Sequence, residues 1–174
     1  GGLVVRYAGG TYGADLDGAV LLAPFLKYDA PTARPQSGGW ARPLTRRLIG
    51  LSMLNQVGLR VLNHLTVITF AMPSEVLDGP MGHTATTAYS YRLNTSYAPR
   101  ADYLADAARL PPFLVLAGRE DEAFVAQGYE PLLSEVTQRG TYAVIAETGH
   151  LDLPDAPAAV TQIRAFLTNL PVNQ

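Results

Sequence analysis

The chain has 174 residues, 48% hydrophobic and 16% charged, which is enough for one sizeable core and too apolar for a disordered protein. Its formal net charge of −2 leaves no basic excess, so nucleic acids and anionic membranes find no electrostatic footprint. Cysteine is absent, which excludes disulfides, thiolate catalysis and cysteine metal sites while leaving the compartment unread.

Apolar residues at 3, 4, 7 and 8 have helical spacing and predict a helix that starts at or before residue 1 and stops at Gly9-Gly10. No Ser, Thr, Asp or Asn precedes that run to cap it, so the N-terminus reads as cut, and no charged signal-like segment opens the chain. Asp17-Gly18 then leads into the apolar run 19–25, the pattern of a strand buried on both faces. From 27 to 110 the pattern loosens, with Pro31, Pro35, Pro43, the turn Ser37-Gly38-Gly39-Trp40, a helical stretch over 48–65, a β-rich Thr66–Phe70 and a predicted helix around 86–95. An insertion of this size between sheet strands reads as a cap, since a structureless loop this long would be unusual. Its longest apolar region, 48–72, is interrupted by Asn55, Gly58, Arg60, Asn63 and His64, poor material for a transmembrane segment.

After the cap the spacing predicts a strand over 113–117, an amphipathic helix over 125–138 ended by Gly140, and a strand over 142–146. A final helix is predicted over 157–170, apolar at 159, 160, 163, 166, 167 and 170, with Asp155 as its cap. This order is the second half of a parallel α/β sheet. The chain is therefore divided into a core, 1–26 and 111–174, and a cap, 27–110.

The segment 111–150 carries the chemistry. Each of its two apolar runs places one catalysis-capable side chain just past its end, Asp121 after the first and His150 after the second. Parallel strands joined by a crossover helix emerge at one sheet edge, so the carboxylate and the imidazole can meet there as two-thirds of a nucleophilic triad. Gly118 permits the tight turn before Asp121; Glu120 and Glu122 are alternative acids, and a helix-capping aspartate or a structural histidine are the plainer readings. Of the six serines, only Ser37 has the trailing half of a nucleophile motif, and there a proline replaces the leading glycine and no buried strand feeds it. A turn at the entry to the cap is its ordinary reading. His64 and His83 are isolated, with no metal-ligand spacing, and Gly9-Gly10-Thr-Tyr-Gly13 lacks the trailing Lys-Ser/Thr of a phosphate loop, so neither metal nor cofactor is expected.

Taken together, the Leu-Leu-Ala-Pro24 strand, the cap, Leu-Val-Leu-Ala-Gly118-Arg-Glu-Asp121, Glu-Thr-Gly-His150 and the last helix resemble the C-terminal half of an α/β-hydrolase. Lysophospholipase and monoglyceride-lipase-like serine hydrolases are the nearest in pattern, and the resemblance covers essentially the whole chain. It implies a chain order of Ser, acid, His, with the serine on a G-x-S-x-G elbow before a helix. The opening Gly1-Gly2-Leu-Val-Val-Arg looks like that helix, which would put the nucleophile and the oxyanion hole upstream of Gly1, in an N-terminal half of the same protein or a companion chain. Asp121 would then orient and His150 act as general base in the cleavage of a lipophilic carboxylic ester, with no cofactor. The cap residues Leu48, Ile49, Leu51, Met53, Leu54, Val57, Leu59 and 67–72 would line an acyl pocket, or else form the cap's own core. Two other readings stand beside this one: a ligand- or partner-binding protein of the same fold with no chemistry, and acyl transfer to an alcohol.

Overall fold

A computed structural model describes residues 1–170; the last four positions of the 111–174 expectation lie outside the described residues. The chain forms two compact units, one made of Gly1–Arg34 with the chain from Pro99 onward, the other of Pro35–Ala98.

In the first unit, α1 (Gly2–Arg6) runs on into a π-helical turn, Tyr7–Thr11, and does not stop at Gly9-Gly10. Those glycines answer a packing need. A Cβ on Gly9 would run into the Asp106 carbonyl, and one on Gly10 would lie 3.0 Å from the Arg100 guanidinium. Strand β1 (Ala19–Leu22) is shorter than its apolar run because Ala23 turns the backbone at φ 38° and Pro24 has no N–H to donate.

The second unit holds β2 (Ala41–Pro43), α2 (Thr45–Gln56), β3 (Thr66–Phe70), α3 (Ser74–Leu77), β4 (Ala88–Ser90) and α4 (Tyr91–Tyr97). Its three strands pair antiparallel in the order β2-β3-β4. The helix expected over 48–65 ends at Gln56, because Gly58 at φ 83° reverses the chain and the Asn55 and Asn63 amides exchange hydrogen bonds of 2.7 and 2.9 Å across the turn. The helix expected over 86–95 is half strand. Residues 88–90 join β3, and the Ser90 hydroxyl then caps α4 by accepting from the Leu93 N–H at 3.2 Å. Leu51, Val67 and Tyr91 are buried together with Leu48, Leu54, Leu62, Leu65 and Ile68 packed against them.

The chain returns to the first unit through α5 (Tyr103–Ala107), β5 (Phe113–Gly118), α6 (Tyr129–Ser134), β6 (Gly140–Ile145) and α7 (Pro157–Thr168). β1, β5 and β6 form a parallel sheet with β5 in the middle, Leu21 opposite Val115 and Leu116 opposite Ala143. All six residues of β5 are buried, as the central strand of a covered sheet should be. Gly140 ends no helix: α6 stops at Ser134, and Gly140 opens β6 opposite Phe113, where a Cβ would come 2.7 Å from the Phe113 ring. Helix α7 buries Ala159 and half-buries Val160, Ile163 and Phe166, while Leu167 faces water. Its N-cap is Ala156, and Asp155 belongs to the preceding 3-10 turn. No helix among the described residues is long and apolar enough to cross a membrane.

Candidate active site

The site grows from the way β5 and β6 end. Beyond their last paired residues, Gly118 and Ile145, the two chains stay in contact. The Arg119 N–H donates to the Ile145 carbonyl at 2.8 Å and the Glu120 N–H to the Thr148 carbonyl at 3.1 Å. Gly118 makes this approach possible, since any Cβ there would collide with the Thr148 carbonyl. The second chain bends with Glu147 at φ 51°, a left-handed conformation that few non-glycine residues adopt, and with the Thr148 hydroxyl donating to the Ala146 carbonyl at 2.8 Å. Gly149 and His150 follow directly.

Asp121 is buried, and a buried carboxylate must have its oxygens occupied. One oxygen, Oδ1, accepts the N–H groups of Ala123 and Phe124, both at 2.8 Å, so the side chain closes its own turn. The other, Oδ2, lies 2.9 Å from His150 Nδ1. From the opposite side Arg34 Nε donates to the carbonyls of Asp121 and Phe124, each at 3.1 Å, which fixes the turn that carries the acid.

The acceptor identifies the tautomer. An ionised carboxylate can only accept, so Nδ1 carries the proton and the Nε2 lone pair is the basic one in the neutral ring. The His150 side chain is 25% exposed, against 0% for Asp121. The Phe124 ring packs beside the imidazole with centroids 5.3 Å apart and planes at 56°. The His150 backbone N–H donates to Glu122 Oε2 at 3.0 Å. Beneath the site the buried Tyr129 hydroxyl donates to the Pro24 carbonyl at 2.9 Å, and burial first, then the Asp121 charge, push its pKa above the ordinary value near 10.

The structure thus brings Asp121 and His150 together. Asp121 is the carboxylate on the imidazole ring; Glu122 meets the His150 backbone instead, and Glu120 is exposed. Ser37, at φ 48° in a 3-10 turn over Pro35–Gly39, belongs to the other unit, as do the exposed His64 and His83. The hydroxyls of Ser52, Ser96 and Ser134 donate to carbonyls of nearby residues, and Ser90 is a helix cap. No group of metal-ligating side chains is found among the described residues. Sequence reasoning missed Arg34 and Phe124. The Asp-x-Ala-Phe spacing contains the signal for a self-closing aspartate turn, whereas nothing local marks an arginine 87 residues before the acid it supports.

No protein-family model matches the chain, and no curated protein sequence matches it significantly. Solved structures do match. A monoacylglycerol lipase from Paleococcus ferrophilus superposes over 98% of the chain with a TM-score of 0.61 at 21% identity. A hydrolase from Pseudomonas aeruginosa superposes over 96% at 0.54 and 19% identity, and an esterase from a Rhodococcus species over 98% at 0.51 and 19% identity. The fold is that of the α/β-hydrolases. The chain spans 64%, 61% and 63% of the three structures' lengths.

Proposed function

We propose that this chain supplies the acid and the general base of a serine hydrolase that cleaves a lipophilic carboxylic ester through an acyl-enzyme. The observation that carries the reading is the 2.9 Å contact between Asp121 Oδ2 and His150 Nδ1, with Oδ1 already held by two backbone N–H groups. That arrangement orients the imidazole, selects the tautomer with its lone pair on Nε2 and stabilises the cation formed when Nε2 takes a proton.

The chemistry then runs in two halves. Nε2 accepts the proton of a serine hydroxyl as its oxygen attacks the ester carbonyl, and the tetrahedral intermediate collapses as His150 returns the proton to the departing alcohol. Water repeats the sequence on the acyl-enzyme and releases the acid. The nucleophile and the oxyanion-binding N–H groups belong to a segment preceding Gly1, within the same polypeptide or on a companion chain. Two considerations support that assignment: the acid-before-histidine order of this chain, and the third or more of each matched structure that it does not span. The lipase and esterase among the similar structures favour a carboxylic ester, and the lysophospholipase-like pattern of the sequence favours an acyl chain.

The test uses the complete protein, with all segments present. A fluorophosphonate should label one serine, and p-nitrophenyl butyrate should be hydrolysed. His150→Ala should lower kcat by about six orders of magnitude. Labelling that fails on active, folded protein, or a His150→Ala variant with undiminished turnover, would sink the proposal and leave a binding protein of the same fold.

A further inference from the structure

The proposed site leaves one interaction without a role. The His150 backbone N–H donates to Glu122 Oε2 at 3.0 Å, across 28 residues of sequence, although Asp121 next door already holds the ring. From this contact we infer that Glu122 is a positioning residue for His150: its carboxylate fixes the backbone from which the imidazole hangs. The inference rests on the hydrolase reading for its kinetic consequences, but not for its geometry.

Two chain ends are held in alignment here. β5 and β6 remain joined after their ladder stops, through Arg119 to Ile145 and then Glu120 to Thr148, each a backbone pair. The next rung is made by a side chain: the His150 N–H donates to Glu122 Oε2. The Asp121 carbonyl is turned to Arg34, and the Asp121 side chain is committed to its own turn and to the ring. Glu122 supplies the missing acceptor from its side chain. Its carboxylate oxygens also lie 3.2 and 3.5 Å from where a Cβ on Gly149 would stand, so they lie alongside the chain just before the histidine.

The two neighbouring carboxylates therefore divide the work. Asp121 sets the rotation and tautomer of the ring, and Glu122 sets the position of the histidine Cα. Ring orientation without a fixed Cα leaves Nε2 free to swing by ångströms at the end of a loop, and proton transfer tolerates far less. The role requires an acceptor oxygen, not a charge.

The variants Glu122→Gln and Glu122→Ala in the complete protein separate these functions. Glutamine keeps an acceptor oxygen at the same reach, so Glu122→Gln should stay within about twofold of wild-type kcat, while Glu122→Ala should lose about tenfold in kcat with KM within about twofold. Equal impairment of both variants, or an unimpaired Glu122→Ala, overturns the inference. Hydrogen exchange at the His150 amide gives a readout that needs no substrate: exchange should accelerate in Glu122→Ala and not in Glu122→Gln. An exchange rate that Glu122→Ala leaves unchanged overturns the positioning role whether or not the protein is an esterase. Absence of ester hydrolysis by the wild type, with the exchange pattern as expected, counts against the hydrolase reading alone.

Discussion

Asp121 shows how much one side chain can be asked to do. Its two oxygens serve different masters: Oδ1 closes a turn through two N–H groups, and Oδ2 orients an imidazole. Asp121→Asn separates these jobs. The amide oxygen can still accept from Ala123 and Phe124, so the turn should survive, but the NH2 group then faces Nδ1 and imposes the tautomer with the proton on Nε2. Turnover by the complete protein should fall by about four orders of magnitude while its thermal midpoint changes little, and a variant that keeps its turnover would show that the carboxylate does not act on the histidine. The pair was legible in the sequence because each member ends an apolar run, and strand ends of a parallel sheet converge by construction. Arg34 was not, since its contribution is a long-range contact between a side chain and two carbonyls that depends on how the turn closes.

At the scale of elements, strands were read more faithfully than helices. Continuous apolar runs marked β1 and β5 because burial on both faces leaves little room for polar residues. Helix ends were misplaced wherever a glycine was taken as a stop signal. Gly9 is required by an adjacent carbonyl and Gly140 by an aromatic ring, needs that a one-dimensional pattern does not display. The two neighbouring glycines of the first helix give a direct comparison. Gly9→Ala meets the rigid Asp106 carbonyl and should cost about 1–3 kcal/mol. Gly10→Ala meets side-chain ends, the Arg100 guanidinium first, which yield more easily than backbone, and it gains helix propensity, so it should be neutral within about 0.5 kcal/mol. Urea midpoints of the two variants decide this, and equal destabilisation would mean that local helix strain, not the carbonyl, selects glycine. The region around 86–95 was misread for another reason: Tyr89, Tyr91 and Leu93 suit strand and helix alike, and the pairing with β3 is decided by tertiary contact.

For the whole molecule, tyrosines with raised pKa set an alkaline limit. Tyr129 is pushed upward by burial and then by Asp121, and burial likewise raises Tyr89, Tyr103 and Tyr142. A phenol whose folded pKa lies above its unfolded value near 10 contributes stability that is complete below that pH and is lost as the pH climbs through the folded value. Denaturation midpoints should therefore hold steady up to about pH 10 and drop beyond it, with a shallower drop in Tyr129→Phe. An alkaline limb that Tyr129→Phe leaves untouched would exclude Tyr129 as its main source. The placement of Asp121 and His150 has a kinetic side as well. They stand 29 residues apart, just past the ends of adjoining strands, whereas β1 reaches β5 only across the entire insertion. Contacts close in sequence are reached sooner by a searching chain. In pulse-labelled refolding of the complete protein, amides of β5 and β6 should therefore gain protection before those of β1, and the reverse order would refute this. Asp121 and His150 would then be among the first distant residues the nascent fold brings together, met while the rest of the sheet is still looking for its neighbours.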